Sequence, residues 1–236
     1  DSRSNEHTGG RKPKQIQGVM IYQNEYQRDY VRALIIRADI DKNGLAYSKA
    51  AEINDLIECF RLLKNGFLAY STLGELLKTF SKYTNGNEDL SQKMKRLRNK
   101  LDFMNHLRNK CTGHLDDILI DKAIQWEPSL FTKQVVESEL HIYLIYKTLL
   151  ESAINSYMDE NGGQKYFHME IDLFYPPNWN DFINFMAESQ VDSMDFLDDL
   201  LSEIKKNLRL IDDRDDLFLQ AAIASKTDFR FPKKGR

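Results

Sequence analysis

The sequence predicts an all-α fold, a helical bundle with a mostly helical C-terminal extension, and three observations lead there. Breakers are sparse: five prolines and 11 glycines in 236 residues favour long helices over many short strands. Apolar residues recur at alternating steps of three and four along much of the chain, the spacing that lays one buried stripe on a helix. Period-two alternation suits only Phe167, Met169, Ile171 and Leu173, so one short strand is expected near 165–173. The length suits a single domain, or one with an appendage, able to bury a core.

The elements follow in order. Residues 1–19 read as a polar tail, 20–160 as the helical bundle, 161–228 as a C-terminal helical extension and 229–236 as a basic tail. The boundary is placed after Asp159-Glu160-Asn161-Gly162-Gly163, a run of turn formers. A first helix is expected over 25–38, with Tyr26, Tyr30, Leu34 and Ala38 four apart and Val31 and Ile35 widening the stripe. Asp39-Ile40-Asp41-Lys42-Asn43-Gly44 looks like the first half of an EF-hand calcium loop. Ala50 stands where the bidentate glutamate belongs, so an ordinary turn between helices is the favoured reading. A second helix spans 46–65 and stops at Asn65-Gly66; a third spans 71–83 and closes at Thr84-Asn85-Gly86-Asn87.

The fourth helix opens at Glu88 and carries Leu90, Met94, Leu97, Leu101, Met104, Arg108 and Cys111 on one stripe. A guanidinium on an apolar stripe needs a partner, a solvent pocket or a task, because burying it alone is costly. Thr112-Gly113 supplies a helix stop through the left-handed conformation glycine tolerates, and Asp116 or Asp117 caps a short helix from Ile118 to Gln125. Val135 to Met158 is the most apolar helix and the candidate central packing partner. Pro176-Pro177 ends the strand, Asn178 opens a helix with Trp179, Phe182, Ile183 and Met186, and Asp192 or Ser193 caps another.

Net charge is only −3, yet it is unevenly spread. Residues 78–110 hold nine Lys or Arg against three acids, and 188–216 hold ten acids against four basic residues. The basic stretch could attract a phosphate polymer or be a solvated face; the acidic one is explained by a helix macrodipole without any partner. Cys59 and Cys111 form no CxxC pair, which suits a reducing compartment and a cytoplasmic location, and argues against a zinc site or disulfide framework. No signal peptide or membrane span is visible. GxGxxG, P-loop, HExxH and GxSxG signatures are absent, and the five histidines are scattered. Neither a cofactor nor a metal is expected. Asp102 and His106, four apart, suggest a surface pair.

The distinctive run is Arg108-Asn109-Lys110-Cys111-Thr112-Gly113-His114. Arg and Asn followed by His at this spacing arises by chance about 0.02 times at this composition. Set between two helices, the run resembles the RNxxxxH signature of the HEPN superfamily, α-helical proteins that include many metal-independent ribonucleases of toxin and antiviral systems. The resemblance covers three residues as motif and 25–158 as architecture. It implies an endoribonuclease and a homodimer in which two motif helices build one composite cleft. His114 would take the proton from a ribose 2′-hydroxyl. Arg108 would stabilise charge on the phosphorane, and Asn109 would orient the phosphate or the imidazole. Lys93, Arg96, Lys100, Lys110 and Thr112 are expected to hold the RNA. An antitoxin or other regulatory protein is a further implied partner. Some family members carry a modified tyrosine two positions past the histidine; here Asp116 stands there.

The alternative is a non-catalytic binding module with a HEPN-like fold. Its basic and acidic surfaces would serve self-assembly or docking, and Arg108, Asn109 and Lys110 would merely suit a helix C-terminus.

Overall fold

The computed structural model describes residues 14–113 and 116–208, with Ala224, Ser225 and Arg230. His114, Leu115 and most of both expected tails lie outside the described residues. Seven α-helices are present among the described residues: α1 (Lys14–Glu52), α2 (Leu56–Phe80), α3 (Glu88–Arg108), α4 (Asp117–Trp126), α5 (Lys133–Val136), α6 (His141–Asn155) and α7 (Pro176–Lys205). None of them is long and apolar enough to cross a membrane.

Helix α1 runs straight through Asp39–Gly44, so the expected turn, and the loop a calcium ion would need, is not formed. Gly44 is inside the helix because α7 passes close by: a Cβ there would overlap the Gln190 amide. The same reason overturns the stop at Asn65-Gly66. Helix α2 continues to Phe80, and a Cβ on Gly66 would lie 3.2 Å from Asn43 Nδ2, which donates to the Leu62 carbonyl at 2.9 Å. Both glycines permit close helix packing instead of ending a helix. The α1–α2 turn falls at Asn54, whose φ is +55°, and Asp55 caps α2 by accepting from the Glu58 amide at 3.0 Å.

The inward face of α1 is Asp29, Ala33, Ile36 and Ile40, whereas Val31, Leu34 and Ile35 are exposed. Asp29 is buried, and it is paired: Lys82 lies at 2.7 Å and the Tyr83 hydroxyl donates at 3.0 Å. Helix α3 fits its expected stripe, with Leu90, Met94, Leu97, Leu101 and Met104 buried and Phe103 and Leu107 added to it. Asn87 caps it through the Leu90 amide at 3.1 Å.

Residues 161–208 share this core. Helix α7 is one helix from Pro176, with both prolines in its first turn, where a missing N–H costs nothing. Phe182, Phe196, Leu197, Leu200 and Ile204 pack into the same cluster as Leu73, Leu97 and Leu101. Ser193 is buried within α7 and does not cap a second helix. Residues 165–173 form turns rather than a strand, next to an isolated antiparallel bridge between Met158 and Gln164. Among the described residues no partner strand lies beside them; the Asn155 side chain takes that role, donating to the Ile171 carbonyl at 2.7 Å and accepting its amide at 2.8 Å. The expected long apolar helix is broken at Glu137–Leu140 into α5 and α6. Val136 and Leu140 are exposed, and the centre of the bundle is α2 and α3 with α1 and α7 against them.

Candidate functional site

The end of α3 is shaped by what is buried just before it. Met104 and Leu107 are fixed in the core, so the next residues must turn outward. Asn109–Gly113 continue the helix in the wider π form rather than stopping at a left-handed glycine, a local widening often found at functional positions. The Thr112 hydroxyl donates to the Arg108 carbonyl at 2.7 Å, which satisfies an acceptor the widened turn would otherwise leave open.

Arg108 is half-buried at this rim and Asn109 is exposed. One guanidinium nitrogen donates to Asn109 Oδ1 at 2.9 Å. Among the described residues no carboxylate pairs with Arg108. Asn109 thus orients a cation whose remaining N–H groups are available to an anion, a role more direct than the phosphate or imidazole contact expected for it. Lys110 turns the other way and pairs with Asp116. Asp116 also caps α4, accepting from the Ile118 and Leu119 amides at 3.0 and 3.3 Å. The Lys110 ammonium and these amides hold its carboxyl below the usual range. One carboxylate thereby fixes where the chain re-enters a helix after the motif.

Beneath the π segment the Cys111 thiol packs toward Phe60, Leu63, Phe67, Leu119 and Leu150 around a void of about 30 Å³, room for a water and no larger ligand. Burial pushes that thiol up to about 12, so it is not a nucleophile at neutral pH. Any substrate must meet the motif from the open side.

The remaining expected site residues are not gathered here. Lys93 lies about 22 Å and Lys100 about 12 Å from Arg108 along the helix axis. Lys93 is tied to Asp195 at 3.0 Å, Asp89 at 3.2 Å and Asp199, which together raise its pKa above the usual lysine range. Lys100 is held by Asp192 at 2.8 Å and Glu188 at 3.3 Å. Lys93 and Lys100 of the basic stretch are therefore paired with four acids of the acidic stretch. Arg96 is exposed on α3. His114 lies outside the described residues. His106 does not pair with Asp102: its Nε2 lies 3.0 Å from both the Ala153 carbonyl and Ser156 Oγ, and burial lowers its pKa.

Sequence reasoning missed a second polar arrangement. Glu151, fully buried on α6, accepts from the Trp126 indole N–H and from the Leu173 amide at 2.7 Å. The available signal was an acid inside the most apolar stretch of the chain. Neither a protein-family model, nor a curated protein, nor a solved structure matches this chain.

Proposed function

We propose that the protein is a metal-independent endoribonuclease of HEPN type, acting as a homodimer in the cytoplasm in a toxin or antiviral role. The observation that carries this reading is Arg108 at the open, π-widened end of α3, aimed by Asn109 and lacking a carboxylate partner among the described residues. A cation kept available at a helix end is what an incoming phosphodiester requires. Lys110 is committed to the Asp116 carboxylate and Thr112 to the Arg108 carbonyl, so they shape the site, and Arg108 makes the phosphate contact.

In this mechanism His114 removes the 2′-hydroxyl proton, the alkoxide attacks the adjacent phosphorus, and Arg108 stabilises the charge gathering on the non-bridging oxygens. The 5′-oxygen leaves with a proton, giving a 2′,3′-cyclic phosphate. DNA, lacking the nucleophile, is not cleaved. A second copy of the chain completes the cleft, and an antitoxin or other regulator acts by covering it.

The test is cleavage of labelled RNA by purified protein in EDTA, comparing the wild type with Arg108→Ala and His114→Ala. Loss of the cyclic-phosphate product in both folded variants supports the mechanism. Equal activity in all three refutes it, and no cleavage by any of them favours a non-catalytic binding module.

A further inference from the structure

A second site lies between α4, α6 and the turns that precede α7. Here a cavity of about 290 Å³ is lined by Lys122, Gln125, Trp126, Ser152, Met158 and Glu170, among others. Half of Trp126 is open to solvent, and so is half of Met158. No aromatic ring among the described residues stacks on the Trp126 indole. Yet its N–H is held by Glu151, a carboxylate with no exposed surface. Burying an ionisable group is costly even when it is hydrogen-bonded. Here that group fixes the orientation of a ring whose own burial is incomplete.

A fixed, half-open indole beside a thioether is a platform for a flat ring. The polar groups around it narrow the ligand. Asn155 is spent on both backbone groups of Ile171 and Ser156 on His106 and Ala153, which leaves the Gln125 amide, the Ser152 hydroxyl and the Glu170 carboxylate for the edge of a heteroaromatic ring. Lys122 adds an exposed cation at the rim, suited to a phosphate attached to that ring. The volume is enough for one nucleobase.

We propose that this cavity binds one nucleobase, stacked on Trp126. The choice of a nucleic-acid strand as its source rests on the ribonuclease reading, which this subsite would extend. The placement fits: α4 carries Lys122, Gln125 and Trp126 and is capped by Asp116, the partner of Lys110 in the motif turn. From Asp116 to Trp126 is about 15 Å along the helix. A single strand lying along α4 would pass from one site to the other.

Trp126 can be read alone in a Trp179→Phe protein, since the chain has two tryptophans. That protein is titrated with a single-stranded all-deoxy oligonucleotide, which cannot be cleaved through a 2′-hydroxyl, with a nucleoside 5′-monophosphate, and with inorganic polyphosphate. Saturable quenching of indole emission by either base-bearing ligand and not by polyphosphate supports the proposal. The monophosphate matching the oligonucleotide would identify a free nucleotide as the source of the base. Quenching by polyphosphate alone, or by none of the three, overturns it. In a second measurement, anisotropy of a labelled oligonucleotide, Trp126→Leu weakens binding about 5- to 150-fold, the range for loss of one stacked base. Trp126→Phe restores part of that loss, and an unchanged affinity in the folded Leu variant overturns the proposal. RNA cleavage dependent on Arg108 with an indifferent Trp126 would sink this subsite alone, and quenching without cleavage by any variant would sink the ribonuclease reading alone.

Discussion

Replacing Lys93 by Met separates the structural use of the basic stretch from its use in binding. The methionine keeps most of the apolar stem, which packs at a position only 13% exposed, and removes the ammonium shared by Asp89, Asp195 and Asp199. The three carboxylates are 43–70% exposed, so each pair is screened and belongs on the scale of surface ion pairs, about 0.2–1 kcal/mol. Asp195 and Asp199 are one helical turn apart, and losing the cation leaves a like-charge pair that costs a few tenths of a kcal/mol more. The sum is about 1–2 kcal/mol, which lowers the melting temperature by about 3–6 °C for a chain of this size. Thermal unfolding at low and high salt is the assay. The deficit should shrink in 1 M NaCl, where the Debye length is about 3 Å. RNA cleavage, or RNA binding by a His114→Ala protein, should be unchanged, because this ammonium is already occupied. Equal stability of variant and wild type at low salt would refute the clamp. A uniform loss of RNA affinity with a salt slope smaller by about one would show instead that RNA displaces α7 from Lys93.

Three further outcomes are expected. Asn109→Ala releases the Arg108 guanidinium from its 2.9 Å bond; kcat should fall about 10- to 100-fold with the fold intact, the usual effect of losing a hydrogen bond to a charged group, and an unchanged kcat in single-turnover assays would show that Asn109 positions nothing. His106 titrates below its usual value near 6.5 because it is buried. As pH falls the unfolded chain takes the proton first, so this stability is complete above about pH 6.5 and is lost as pH drops through the folded value; His106→Gln should flatten the urea midpoint across that window. Cys59 is buried and the Cys111 thiol is pushed up to about 12, so neither should react with a thiol reagent at pH 8 until the chain unfolds, and rapid native labelling at Cys111 would contradict the packing of the π segment.

How much was legible varied with how local the cause was. The stripe on α3, the cap at Asp116 and the placement of Arg108 and Asn109 at a helix end follow from spacing and side-chain chemistry within a few residues. The strand reading of 165–173 failed because alternation has meaning only beside a second strand, and here the Asn155 amide takes its place. The α1 stripe was right at Tyr26 and Tyr30, which pack against the core, and wrong at Leu34 and Ala38, which keep the same spacing but are exposed; only the position of α2 and α7 brings Ala33, Ile36 and Ile40 inward instead.

By itself the sequence determined an all-α chain with its motif at the end of a long amphipathic helix, since propensity, periodicity and capping act over single turns. Tertiary structure decided the rest. Gly44 and Gly66 end no helix because neighbouring helices crowd against them, an influence that outweighs their poor propensity. The opposite charges of α3 and α7, about 100 residues apart in sequence, neutralise each other only because the fold brings them together. Glu151 meets Trp126 for the same reason: long-range contacts select which polar groups are buried together, and no local pattern encodes that choice.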